Sequence, residues 1–190
     1  LPILGCGASG GVPVLGGADG KGDWGQCDPN EPRNQRTRAS VLVQDGPTTL
    51  LVDTSPDLRL QCLRSGVGRL DAVLYTHDHA DHTHGIDELR RFHYITRTSM
   101  PIFGAADTLA SLRARFQYAF EPEDPGYRPF ATAHEIRGPF TVGGIAVTPF
   151  PQNHGNIISL GFRFGPIAYS TDFVDLPAES FEVLRGVKIW

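Results

Sequence analysis

The sequence lacks the features that would take it outside the cell or into a membrane. Its three cysteines, Cys6, Cys27 and Cys62, are an odd number at irregular spacing, which argues against a disulfide framework and for a reducing, cytoplasmic compartment. No apolar stretch approaches the roughly 20 residues needed to cross a bilayer. The opening LPILGCGASGG also has no basic region ahead of a long apolar one, as a secretory leader would. An excess of positive charge is missing too. With 17 basic against 21 acidic residues the formal net charge is -4, so no global field holds an extended nucleic acid or an anionic membrane, and any phosphate must be bound locally. Repeats and low-complexity segments are absent. The 40% hydrophobic and 20% charged composition is that of a globular protein, and 190 residues suffice for one domain, 1–190, with a substantial core.

Apolar runs and turn residues give the order of elements. A strand around Ile3 leads into a long Gly- and Pro-rich loop, of a length that is often functional. ASVLVQDGPTTLLVDTS predicts two strands joined by a Gly-Pro turn. Ser55 as cap, Pro56 at the first position and Gly66 as terminator predict a helix with Leu58, Cys62 and Leu63 near one face. DAVLYTH predicts a buried strand, 85–95 a helix and MPIFG another strand. Asp107 is the expected cap of a helix striped by Leu109, Leu112, Phe116 and Phe120, followed by a proline-broken surface loop, EPEDPGYRP. IAVTPF, ISLGFRFG, IAYSTD and the final VKIW predict strands. Hairpin-like ends around a middle that alternates strand and helix imply an α/β fold of sheets layered with helices.

The chemistry is concentrated in YTHDHADHTHG, directly after the apolar LDAVL. His77, His79, Asp81 and His82 form the pattern HxHxDH where a strand turns into a helix and side chains can converge. Imidazole and carboxylate suit Zn, Mn or Fe without any thiolate. A lone histidine in such a loop more often makes a structural hydrogen bond than binds a metal, but two alternating histidines with an Asp-His pair are a different case. Second partners for the imidazole nitrogens are sought among Thr76, Asp78, Asp53 and Thr54. His84, just beyond the motif, is a candidate substrate contact, whereas His93 and His134 read as structural. Arg33, Arg36, Arg38, Arg90 and Arg91 are candidate phosphate ligands. The Gly5–Gly11 stretch reads as a site-lining loop without the spacing of a P-loop.

HxHxDH after a strand resembles the signature of the metallo-β-lactamase superfamily of binuclear metallohydrolases. TPFPQNHGN supplies a later histidine, His154, and AYSTD a strand-end aspartate, Asp172, in the family's order. The resemblance implies a metallo-β-lactamase αββα sandwich with two divalent metal ions. His77, His79 and His154 would hold one ion, Asp81 and His82 would belong to the second, and Asp172 would bridge them, with Asp81 and Asp172 as the candidate catalytic carboxylates. The segments GCGASGGVP, DWGQCDPNEPRNQR, HADHTHGIDELR and GPFTVGGIAVTPFPQNHG resemble the branch of phosphoribosyl cyclic-phosphate phosphodiesterases and, more distantly, ribonuclease Z. The cysteine cluster that some of these use for a structural zinc is reduced here to Cys27, and Cys6 and Cys62 read as small buried hydrophobes.

The activity implied is a phosphodiesterase using a metal-bridging hydroxide on a small phosphate ester, such as a cyclic ribosyl phosphate or a nucleotide. The alternatives are a thioester, lactone or lactam hydrolase, or a non-hydrolytic metal-binding protein of cofactor biosynthesis. The family pattern has a further helix, strand and histidine after the position of Trp190. The expectation is therefore a domain lacking the C-terminal part of its second half, with an incomplete second metal site and an uncovered edge that could pair in a homodimer.

Overall fold

The computed structural model describes residues 1–122 and 126–190, so the middle of the expected 121–129 loop lies outside the described residues. The first sheet has the order β1 (Ile3–Gly5), β2 (Ser40–Asp45), β3 (Thr48–Val52), β4 (Ala72–Leu74), β5 (Met100–Gly104) and β6 (Ala131–Glu135). β2 and β3 form the expected hairpin, with Asp45 opposite Thr48 across a Gly46-Pro47 turn in which Gly46 has φ 53°. From β3 to β6 the strands run parallel, which forces the chain to cross over between them. The crossovers are α1 (Leu58–Ser65), then α2 (Ala80–Thr83) with α3 (Leu89–Thr96), then α4 (Ala106–Arg115) with α5 (Gln117–Phe120). The second sheet is antiparallel and consists of β7 (Phe140–Val142), β8 (Ile145–His154), β9 (Ile157–Phe164) and β10 (Ile167–Tyr169), with α6 (Ala178–Leu184) against β8.

The two-residue period of the strands sorts their side chains into two cores. Leu42, Leu51, Val73 and Ile102 face the helices and pack with Leu58, Cys62, Leu89, Phe92, Leu109 and Leu112. Their neighbours Val41, Val43, Leu50, Val52, Ala72 and Leu74 face the second sheet and meet Ile145, Val147, Phe162 and Phe164. These layers agree with the sandwich that the sequence resemblance implies. At one end the sheets are tied by a backbone bond from Leu160 N to Thr76 O of 2.8 Å, just where β4 runs into the histidine motif.

Local expectations fail at three helix or strand ends. Ser55 does not cap α1. Its hydroxyl accepts from Asp57 N and donates to Gln61 Oε1, and the helix starts at Leu58 because the Asp57 carboxylate is engaged with Arg38 N and Nη1. Asp107 lies inside the first turn of α4, where its charge suits the helix dipole, and the stripe to Phe120 breaks at Phe116 (φ -127°, ψ 44°). VKIW makes no strand beyond a single bridge from Ile189 to Ile167, with Lys188 N and Ile189 N both donating to Pro166 O. Two strands, β6 and β7, and the helix α6 had no clear apolar period to announce them.

Phe150 is fully buried and stands opposite Gly161 in the β8–β9 register. A Cβ at residue 161 would overlap the Phe150 ring, and an aromatic in a packed layer has little room to withdraw. Gly161→Ala is therefore expected to cost about 1–3 kcal/mol of stability. Gly68→Ala, where a Cβ meets nothing within 4 Å, should stay within about 0.5 kcal/mol of the parent. Urea unfolding of the two variants checks this, and equal midpoints would contradict it.

Candidate metal centre

The histidine motif lies at the carboxyl end of β4, inside the parallel part of the sheet between β3 and β5. Tyr75, Thr76 and His77 continue from the strand as buried residues, His79 directly precedes α2, and Asp81 and His82 lie on that short helix. The next residues turn back against the β3 end: Gly85 N donates to Thr54 O, and a Cβ at residue 85 would collide with Ser55 O. β8 delivers His154 from the second sheet, and the turn after β10 delivers Asp172. The ligand atoms of His77, His79, His154 and Asp172 all lie within 4.8 Å of one another, and so do those of Asp81, His82 and Asp172. All six residues marked in the sequence as ligands are thus brought together, with Asp172 common to both groups.

The spacing within the groups suits a cation. Ligand atoms arranged tetrahedrally at ~2.0 Å around one ion stand ~3.3 Å apart. His154 Nε2 is 3.3 Å from His79 Nδ1, and His77 Nε2 and His154 Nε2 are each 3.9 Å from Asp172 Oδ2. In the second group His82 Nε2 is 3.3 Å from Asp81 Oδ2 and 3.4 Å from Asp172 Oδ2.

Hydrogen bonds behind the imidazoles decide which nitrogen faces forward. Asp53 is fully buried and has φ 61°, uncommon for a residue with a side chain. Its carboxylate accepts from Thr76 N at 2.8 Å, Thr76 Oγ1 at 2.8 Å and His82 Nδ1 at 2.7 Å. Because the Thr76 hydroxyl spends its one proton on Asp53, it can only accept from His77 Nδ1, 2.9 Å away. His77 Nε2 is then a bare lone pair, and it is buried with no hydrogen-bond partner among the described residues. Such an orphaned atom calls for an explanation, and a metal ligand fits it.

Electrostatics point the same way. Burial first, then the neighbouring charge of His82, holds the His77 ring down to about 4, so it stays neutral. For His82 burial opposes the charge, but Asp53 and hydrogen bonds to Asp172, Asp53 and Asp81 outweigh it and push the ring up to about 12. The bond to His82 holds Asp172 well below the usual carboxylate range, against the effect of burial, and lowers Asp81 as well. Three carboxylates around one imidazole demand positive charge at its Nε2. A divalent cation would satisfy the same demand, so the donor set, the orphaned Nε2 and the fixed tautomers fit a metal.

Asp172 is held from below by residues that sequence reasoning missed. It has φ 47°. Gln152 and Ser159, both fully buried, sit under its turn. Gln152 Nε2 donates to Ser159 Oγ and Thr171 O, and Ser159 Oγ donates to Asp172 O at 3.0 Å. Thr171 Oγ1 donates to Asp172 Oδ1, leaving Oδ2 toward the histidines. The available signal was a glutamine and a serine at inward positions of otherwise apolar strands. Arg115 and Ser111 of α4 are a second omission. They bind the Asp78 carboxylate, so Asp78 pins the histidine loop to a helix and touches no imidazole. Thr54 Oγ1 meets Tyr75 OH and Thr83 O instead of a ring.

Other sequence candidates lie elsewhere. His84 is exposed against the edge of Phe116, His93 Nδ1 meets Thr98 O, and His134 stacks on Phe103 within β6. None belongs to either ligand group. Arg33 pairs with Glu31, Arg38 with Asp57 and Arg90 with Asp87. Cys62 is buried as expected, with its thiol pushed up to about 11 by burial. Cys6 is exposed, contrary to expectation, because β1 is an edge strand and the thiol turns outward to Arg36.

Comparison with known proteins agrees with this arrangement. A family model described as "Beta-lactamase superfamily domain" matches residues 48–190. An octanoyltransferase of Porphyromonas gingivalis is 34% identical over 190 residues, which is 98% of this chain and 37% of that protein. A ribonuclease Z of Bradyrhizobium sp. is 33% identical over 148 residues, 70% of this chain and 46% of that protein. The chain thus spans less than half the length of either relative. Among solved structures, a protein described as a new diphosphatase from the PhnP family superposes with a TM-score of 0.83 at 34% identity, covering 98% of this chain and 71% of that one. With the fold, the motif order and these matches in agreement, the chain belongs to the beta-lactamase superfamily, in the branch of the PhnP-family and ribonuclease Z proteins.

Proposed function

We propose that this chain is a metal-dependent hydrolase that cleaves a phosphodiester bond in a small organic phosphate. The observation that carries the reading is the pair of ligand groups sharing Asp172 Oδ2. His77, His79 and His154 would hold one divalent ion and Asp81 and His82 the other, with Asp172 between them. Two such ions, when bound, make hydroxide available from water near neutral pH and neutralise charge on a phosphoryl group. The chain's own part is orientation. Asp53 and Thr76 fix the His77 and His82 tautomers, Gln152, Ser159 and Thr171 aim one oxygen of Asp172, and Arg115 with Ser111 anchors the loop through Asp78. The related proteins named for a diphosphatase and a ribonuclease Z support phosphate chemistry. A net charge of -4, with Arg33, Arg38 and Arg90 paired to carboxylates, favours a small substrate over a long RNA. The octanoyltransferase name belongs to a protein of which this chain matches 37%.

Turnover is tested with bis(p-nitrophenyl) phosphate, p-nitrophenyl acetate and a chromogenic cephalosporin, each with added Zn or Mn. The diester is expected to be cleaved fastest, with activity lost on chelation. Faster cleavage of the acetate or the lactam would overturn the reading. Metal content follows the ligands: elemental analysis should find a transition metal in the parent and none in a His77→Ala, His79→Ala double variant. Asp172→Ala should lower the metal-to-protein ratio, and unchanged stoichiometry would remove its shared role. Asp53→Asn keeps the shape but removes the charge behind His82. It is expected to weaken zinc binding about 10- to 100-fold in calorimetric titration, and an unaltered affinity would contradict the orienting role.

A further inference from the structure

The solvent side of the histidine motif carries an aromatic pair that the ligand groups do not use. Within α2 and its flanks the side chains divide by burial. His82 and Thr83 face inward, Asp81 is half-buried, and His79, Ala80 and His84 are exposed. His84 N donates to Ala80 O at 3.0 Å, which closes the helical turn. Residue 84 therefore stands three positions beyond Asp81 on the same face of the helix. His84 is in neither ligand group, yet it neighbours a member of the second.

The other ring comes from a different crossover. A continuous α4 would carry Phe116 on from Leu112 along the buried stripe, but the chain leaves helical geometry at Phe116 (φ -127°, ψ 44°). Its ring is half-buried and meets His84 with centroids 5.5 Å apart and planes at 87°. That position does not depend on the contact alone. The preceding residue, Arg115, donates to Asp78 O and to its carboxylate, and Ser111 donates to the same carboxylate. Asp78 lies between His77 and His79, so the end of α4 is tied to the loop that leads into α2. Both rings are thus held to the metal loop, His84 through α2 and Phe116 through Arg115.

In a perpendicular pair each ring covers at most one face of the other. Because His84 is exposed, a planar face remains open beside the metal centre. Histidine and phenylalanine rings are surfaces on which nucleobases stack, whereas a sugar without a base has no π-face to offer them. We propose that His84 and Phe116 form a stacking wall for a planar group esterified to the scissile phosphate, so that the preferred substrates are phosphodiesters of nucleosides. This rests on the phosphodiesterase reading and narrows its small organic phosphates to nucleotides.

The test is calorimetric titration of the zinc-loaded protein with adenosine 5′-phosphate and with ribose 5-phosphate, which lacks the base. The parent should bind the nucleotide about 5- to 100-fold more tightly. His84→Ala should abolish that ratio while zinc content and the affinity for ribose 5-phosphate stay as in the parent. Phe116→Leu, which keeps an apolar filling, should reduce it. His84→Phe retains a planar ring without nitrogen and should preserve the ratio, which separates stacking from hydrogen bonding or charge. Tyr94→Ala removes an exposed aromatic further along α3 and should leave the ratio unchanged. Equal affinities in the parent, binding of neither compound, a His84→Ala loss of equal size on both, or no preference in His84→Phe would overturn the proposal. Cleavage of bis(p-nitrophenyl) phosphate is measured on the same proteins. Its absence would overturn the phosphodiesterase reading, and the binding ratio would still decide the wall, so the two failures are distinguishable.

Discussion

The buried carboxylate of Asp53 is the constraint on which the rest of the site depends. A carboxylate with no solvent exposure is costly unless its oxygens are occupied by donors. Here three donors occupy them, all from the motif that follows β4. The arrangement works in both directions. The charge of Asp53 requires Thr76 and His82 in their observed positions, and once they are there the protons on Thr76, His77 and His82 have only one self-consistent placement. The strained φ of Asp53 is what brings its carboxylate under the neighbouring strand end, and strain of this kind persists only where surrounding structure over-determines it.

Asp172 repeats the device from the other sheet. It too has a positive φ, and its turn is held by the buried pair Gln152 and Ser159. The two halves of the site are therefore anchored separately, one to the end of β3 and one to the β8–β9 pair. The backbone bond between Leu160 and Thr76 sets the distance between them. Packing of the inter-sheet core then matters to the chemistry, because a shift of one sheet against the other moves Asp172 and His154 together relative to His77 and His82.

Much of this was legible in the sequence, for reasons that differ from residue to residue. HxHxDH is a dense local pattern, and the apolar runs at 41–43, 50–52 and 72–74 mark buried strands, although a run that is apolar on both faces does not tell which side each residue takes. His154 and Asp172 became legible only through order and strand context, since each alone resembles an ordinary strand-end residue. Gln152 and Ser159 showed only as polar residues in apolar strands, and Ser111 and Arg115 not at all, because the role of each consists of contacts to residues far along the chain. The start of α1 failed because other partners took the capping side chains: Asp57 went to Arg38, and Ser55 to Gln61 of the helix itself. Asp78 looked like an imidazole partner by proximity in sequence, but the alternation of the loop turns it away from the rings and toward α4.

The division of the ligands between the two sheets also has a consequence for how the chain acquires its site. During synthesis the histidine motif and Asp53 emerge well before His154 and Asp172, and N-terminal segments tend to organise first. At that stage the first sheet has a helix-covered face, while Val41, Val43, Leu50, Val52 and Leu74 have nothing to pack against. The half-built cluster holds His77 and His82 beside Asp53 without the second carboxylate turn. If the proposed ions bind, one captured early would be held by a partial set, and docking of β8 and β9 would complete that set. Closure of the apolar interior and completion of the proposed ligand set would then be a single step, because the same sheet supplies both.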